Sequence, residues 1–255
     1  MILDFPPWMV LDGPDKGTGT FNHILPIVQR SLPEYEHVTE RMNWARFWHE
    51  VENDKNLCYT FGLKSAKRDK LVYYSAPITI GLPNAVIMKK ETAHLIGNPA
   101  SYSIIELLKE EKIKGYVEKN RSFTNKVDSL MINHESGSNL KRVSESSESL
   151  TKMVITGRID YTIEYPIVAS YYEKKLDEEG TLVSIPISEM DPVTYIYVNC
   201  TKNERGRRVI EKLDEELKKI KPTTEYRRIV EIGYTPETGL SLIRKHYEDF
   251  IQEQN

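Results

Sequence analysis

The sequence predicts an α/β protein of two lobes, each with a central, mostly parallel sheet flanked by helices. Short β-like runs alternate with amphipathic stretches along all 255 residues. Such alternation implies α/β layers with mostly parallel strands. The strand-like runs are too many for one sheet, and two sheets make two lobes. With 39% hydrophobic and 29% charged residues, the composition is that of an ordinary globular chain, long enough to bury a substantial core.

Residues 3–11 read as a strand interrupted by Pro6-Pro7. Residues 21–31 place Phe21, Ile24, Leu25 and Val28 at helical spacing, with Thr18 or Thr20 as a cap and Pro33 beyond the end. A second helix over 43–52 carries Trp44, Phe47, Trp48 and Val51 on one face. Residues 57–63 are strand-like, and 70–74 and 85–88 are extended. Ser103 followed by Glu106 and Leu107-Leu108 spells a capping box, and its helix leads to a strand at 114–117. Val127, Leu130 and Met131 make 122–132 helical. The stretch 133–150, rich in Ser and Glu, reads as a surface loop flanking a short element. A helix over 147–156 ends at Gly157. Strand, helix, strand and strand follow at 161–165, 166–176, 182–185 and 194–198. Three helices, 204–220, 223–232 and 236–252, close the chain. No repeat recurs at a fixed period.

Net charge is −3, from 35 basic and 38 acidic side chains with no basic stripe, so nucleic acid is not an expected partner. No apolar run approaches the roughly 20 residues of a membrane span. No charged segment precedes an apolar leader core. The opening Met1-Ile2-Leu3 starts almost inside a strand, which suits a removed leader and equally a native start. Two cysteines, Cys58 and Cys200, are either buried free thiols or one disulfide. No Cys or His spacing matches a zinc site, so neither metal nor cofactor is expected. No Ser-His-Asp arrangement or phosphate loop is visible, and no catalytic residue is named.

One segment carries a signature. In residues 62–77, Ser65, Arg68, Val72, Tyr74, Ser75 and Pro77 fall in register with Thr-x-x-Arg-x-x-x-hydrophobic-x-aromatic-Ser-x-Pro. The segment resembles the signature of the family 3 periplasmic solute-binding proteins, the polar amino-acid receptors of ABC transporters. Phe5-Pro6-Pro7-Trp8, with Asp12-Gly13 and Gly17-Thr18-Gly19, resembles the family's opening. Lys114-Gly115-Tyr116-Val117 resembles the start of its second lobe, Gly157-Arg158-Ile159-Asp160-Tyr161 a later strand start, and Cys200-Thr201-Lys202 the return segment. The opening and the paired cysteines are similar to an uncharacterised branch of the family.

The resemblance implies a type II periplasmic-binding-protein fold. Lobe one would be 1–87 with 192–255, lobe two the inserted 88–191, and two crossings would form a hinge. It implies a monomeric, extracytoplasmic receptor that closes by hinge motion on a small carboxylate-bearing ligand and serves a membrane permease of an ABC transporter. It also places the strands of Cys58 and Cys200 side by side. A disulfide then needs Cα atoms within about 7 Å and fits an oxidising compartment.

The resemblance also selects site residues. Arg68 offers a planar fork of donors to a carboxylate, at what would be a helix start. Its plain alternative is a solvated charge among Lys64, Lys67 and Lys70. Ser65 caps that helix or touches ligand. Thr60 and Phe61 lie on the strand end that offers backbone groups. Phe5 and Trp8 would supply one stacking wall and one core residue, Phe5 the wall. Arg121, Ser122 and Phe123 would open a lobe-two helix that holds the ligand carboxylate, although a solvated loop charge is the plain reading of Arg121.

The family's ammonium-binding Asp would fall at position 165, where this sequence has Tyr165. Glu164 precedes it, but adjacent strand residues face opposite ways. Either Glu164 substitutes through a shifted backbone, or the ligand has no such ammonium. Two alternatives to transport remain. One is a sensor input domain of the same fold. The other is a dehydratase- or lyase-like enzyme, for which Glu164 is the candidate carboxylate.

Overall fold

The computed structural model describes residues 1–65, 68–119, 121–134, 137–235 and 238–253. The elements run α1 (Thr20–Arg30), α2 (Trp44–Glu52), β1 (Cys58–Gly62), a 3-10 turn (Arg68–Lys70), β2 (Val72–Gly81) and β3 (Ala85–Lys89). Next come α3 (Lys90–Leu95), α4 (Ile104–Lys109), β4 (Gly115–Glu118), α5 (Asn125–His134), β5 (Leu140–Val143) and α6 (Ser147–Ile155). The chain continues through β6 (Tyr161–Glu164), α7 (Pro166–Lys175), β7 (Leu182–Pro186) and β8 (Thr194–Thr201). It ends with α8 (Glu204–Ile220), α9 (Thr224–Val230), α10 (Leu240–Lys245) and α11 (Tyr247–Gln252). The expected last helix is thus two helices meeting at His246, and its expected start at 236 lies outside the described residues.

Two compact units result: Met1–Gly81 with Val193–Asn255, and Leu82–Pro192. The sequence expectation had run lobe one to residue 87. However, β3 pairs with β6 and β7 in the sheet of unit two, so the chain changes unit before β3.

Unit one holds a three-stranded sheet in the order β1-β8-β2, antiparallel at both joins. The expectation of a mostly parallel sheet fails here for a topological reason. β1 and β2 do run the same way, but they never pair. β8, arriving from the far end of the chain, lies between them. On one face Tyr59, Val72, Tyr74 and Tyr197 pack with Phe47 and Val51 of α2. The other face carries Cys58, Val198 and Cys200 towards Val28 of α1 and Leu213 of α8, where a cavity of about 380 Å³ opens. Cys58 and Cys200 stand opposite each other in the β1–β8 register, with Cα atoms 4.1 Å apart, and form a disulfide.

Unit two holds a five-stranded sheet, β5-β4-β6-β3-β7. The β4–β5 and β4–β6 pairs are parallel, and β3 is antiparallel to both neighbours. Alternation along β3 divides its core. Val86 and Met88 pack with Leu107 of α4 and Val127 of α5. Ala85 and Ile87 pack with Leu150 and Val154 of α6 and Ala169 of α7.

Several local expectations change. Residues 3–11 are not a strand: prolines cannot donate to a ladder, and the chain turns back with Phe5 and Met9 exchanging backbone hydrogen bonds of 2.8 and 3.0 Å. The cap of α1 is Gly19, where a Cβ would lie 2.4 Å from the carbonyl of Trp8. Ser103 does cap α4 by position, but its hydroxyl donates to Glu189. That carboxylate, from 85 residues away, accepts the Ile104 N–H at 3.0 Å, so the first free donor of α4 is met at long range.

Candidate functional site

In unit one the chain leaves β1 at Gly62 and starts β2 ten residues later. Among the described residues of that gap, one 3-10 turn, Arg68–Lys70, stands where a helix was expected at Arg68. Ser65 still shapes the turn. Its hydroxyl accepts the Arg68 N–H at 3.4 Å, and its carbonyl accepts that of Asp69 at 3.0 Å. Lys67, one of the flanking lysines, lies outside the described residues.

Arg68 is half-buried. Its Nη1 donates to the Leu63 carbonyl at 3.1 Å. Its Cζ lies 5.2 Å from the Trp48 ring centre and 5.9 Å from that of Trp44. The two indoles sit one turn apart on α2, 12° from parallel, and Asn43 caps that helix by accepting the Arg46 N–H at 2.9 Å. Cation–π contact and a carbonyl bond therefore fix the guanidinium while leaving donors open. Among the described residues no carboxylate forms an ion pair with Arg68. The sequence reading used Trp44 and Trp48 only as a helix face; their i, i+4 spacing was the signal of a paired aromatic surface.

Phe5, Trp8 and Phe61, named from sequence, form one cluster. Trp8 is core, 1% exposed, and touches Phe21, Phe61 and Tyr234. Phe5 is half-buried, with its ring 5.4 Å from that of Phe61. Tyr59, buried, links Phe61 to Trp44, so ring contacts run through the core from Phe5 to the indoles beside Arg68. Thr60 is buried within β1.

In unit two the sequence expectations change most. Arg121 is no solvated loop charge, because its side chain is 13% exposed. Its Nη1 and Nη2 donate to the two oxygens of Glu164, both at 2.5 Å. Nη1 also donates to Ser147 Oγ at 2.6 Å and Nη2 to Asn84 Oδ1 at 2.8 Å. The rings of Phe123 and Tyr165 lie 5.5 and 5.6 Å from its Cζ. Burial opposes the charge on Arg121, but Glu164 more than offsets it and raises the guanidinium's pKa.

Glu164 is 1% exposed and also accepts the Tyr165 N–H at 2.7 Å. Strand alternation had separated Glu164 from Tyr165. It fails because β6 ends at Glu164 and the chain turns into α7, with Pro166 in its first turn. Adjacent residues then converge on one guanidinium. Both oxygens of Glu164 are engaged by Arg121 and Oε1 also by the Tyr165 N–H, so the carboxylate considered for a ligand ammonium or for catalysis is partnered inside the protein. Glu118, half-buried beside this group, has its pKa raised by burial, opposed by Arg121.

Ser122 does not open a helix either. α5 starts at Asn125, and Thr124 Oγ1 accepts the Val127 N–H at 3.2 Å. The Ser122 hydroxyl donates to Asp128 Oδ2 at 2.5 Å and the Phe123 N–H to Oδ1 at 2.9 Å. An internal carboxylate thus holds the donors expected for a ligand. Phe123 itself is core, 6% exposed. Asp128→Ala is expected to cost about 1 kcal/mol by freeing both donors, measured as a shift in the urea midpoint.

Among the described residues no three His, Cys, Asp or Glu side chains group as a metal site, and no helix is long and apolar enough to cross a membrane.

No family model matches the sequence, and no curated protein matches it. Solved structures do. The arginine-, lysine-, histidine-binding protein ArtJ of Geobacillus stearothermophilus superposes with a TM-score of 0.66 at 16% identity, over 95% of this chain and 97% of that one. The amino acid ABC transporter substrate-binding protein AbpA of Streptococcus pneumoniae, bound to L-arginine, gives 0.65 at 17% identity, over 94% and 93%. A histidine kinase sensor domain with similarity to periplasmic binding proteins gives 0.64 at 14% identity, over 89% and 93%. At these identities the likeness shows the fold. The chain shares the type II periplasmic-binding-protein architecture of two sheets with flanking helices, matched across nearly its whole length to amino-acid-binding ABC-transporter proteins.

Proposed function

We propose that this chain is an extracytoplasmic solute-binding receptor that holds a small carboxylate-bearing ligand on Arg68 and delivers it to the permease of an ABC transporter. The observation that carries the reading is the state of Arg68. It is half-buried, braced by Trp48 and the Leu63 carbonyl, and has no carboxylate partner among the described residues. A guanidinium fixed in advance loses little entropy on meeting a carboxylate, and two parallel N–H donors give the bond its geometry. Ser65 adds a hydroxyl, and the aromatic surface of Phe5 and Phe61 adds a wall for an apolar part.

The fold's solved relatives bind arginine, lysine and histidine, all of which carry a carboxylate. Glu164 is 1% exposed and its charge is already paired with Arg121, so this reading favours an organic anion or an amino acid whose ammonium is held elsewhere. The Cys58–Cys200 disulfide fits an oxidising compartment. The sensor-domain relative supports a second reading, the same binding event feeding a signal instead of a permease.

A thermal-shift screen of amino acids and small organic acids tests the proposal, because a ligand that binds only the folded form raises its melting point. At least one carboxylate is expected to raise it saturably. Arg68→Ala is expected to abolish that response at the same concentrations without lowering the ligand-free melting point. A carboxylate response equal in wild type and variant contradicts the assignment.

A further inference from the structure

The surroundings of Arg121 are built like a receptor site for its own head group. A guanidinium has a planar edge of N–H donors and faces that attract aromatic rings, and Arg121 meets both acceptors and rings. Glu164 takes the edge bidentately, while Asn84 and Ser147 accept the remaining donors of Nη2 and Nη1. Phe123 and Tyr165 supply aromatic rings at 5.5 and 5.6 Å from Cζ. The acceptors come from three places in the chain, the segment before β3, the end of β6 and the first residue of α6, and Tyr165, the first residue after β6, adds a ring. Arg121 comes from the segment 121–124 that precedes α5, and its neighbour Ser122 is exposed. Glu164 and Ser147 thus belong to the end of a strand and the start of a helix, Asn84 and Tyr165 directly flank strands, and only Phe123 shares the connecting segment that carries the occupant.

We propose that Asn84, Ser147, Glu164, Phe123 and Tyr165 form a guanidinium-binding cage that Arg121 fills as a tethered occupant, and that free alkylguanidinium takes the cage when that side chain is removed. Tethering gives the internal group a high effective concentration, so the intact protein excludes dissolved guanidinium and ammonium compounds from the cage. Arg121 is then a specificity-determining residue: it rejects cationic ligands at Glu164. The inference stands on unit two alone and does not depend on Arg68.

The test uses the full chain with Arg121→Ala, titrated with ethylguanidinium in the low millimolar range. Ethylammonium and sodium chloride at equal ionic strength are the controls, and melting temperature is the readout. The variant is expected to gain a saturable rise with ethylguanidinium, with a midpoint at least tenfold lower than for ethylammonium. Wild type should show neither response. Adding Glu164→Gln to the variant should remove the gain. If Arg121→Ala does not fold without a cation, recovery of folded protein on refolding is read across the same titrations. No saturable gain, equal effects of the two cations, a wild-type response matching the variant's, or a gain that survives Glu164→Gln would each overturn the proposal.

Discussion

Replacing Glu164 by Ala is expected to destabilise unit two by about 3–5 kcal/mol, the cost of leaving a buried charge without its partner. The size follows from the geometry. Glu164 is 1% exposed, and both Arg121 bonds to it are charge-assisted. Removing the carboxylate leaves a guanidinium that is 13% exposed facing Asn84, Ser147 and two aromatic rings, with only the weaker attraction of the half-buried Glu118 in its place. Removing both partners is another matter. Arg121→Met with Glu164→Leu takes away the desolvated pair as a unit, and such replacements are often neutral or stabilising. Denaturant unfolding of both single variants and the double variant measures the coupling. A Glu164→Ala cost below about 1 kcal/mol would place the pair among exposed bridges and contradict its burial.

The second large effect belongs to unit one. Cys58→Ala with Cys200→Ala is expected to lose about 2–5 kcal/mol, because the bridge joins residues 142 apart in sequence. It ties β1 to β8 across the join between the two segments of unit one. Without it, the unfolded chain regains the freedom of a very long loop, while the folded strands keep their ladder. Equal denaturant midpoints with and without reductant would contradict this account.

The difference between what the sequence disclosed and what it hid is one of range. Helix faces such as Phe21, Ile24 and Val28 are buried as their spacing indicated, because an amphipathic period is a local property. The alternation of strands and helices also gave the α/β class. Pairing partners were not local. β8 separates β1 from β2 from the far side of unit two, so alternation suggested parallel neighbours where the sheet is antiparallel.

The site follows the same division. Arg68 was selected through a thirteen-residue signature, and the helix expected there is a 3-10 turn in which Ser65 accepts the Arg68 N–H. Arg121 carried no local sign of burial, because Glu164 lies 43 residues away and Asn84 lies 37 away. Trp44 and Trp48 read as core from their helix face, and only the turn that carries Arg68 back over α2 gives them a cation to hold.

The central claim is a bond between one guanidinium and a ligand carboxylate, and a double-mutant cycle on that bond measures it most directly. Calorimetry would compare the best-binding acid with its primary amide, each on wild type and on Arg68→Ala. The account predicts a coupling of about 1.5–3 kcal/mol: the amide binds wild type weakly, and the variant no longer distinguishes the two ligands. A variant that prefers acid over amide as strongly as wild type would contradict it.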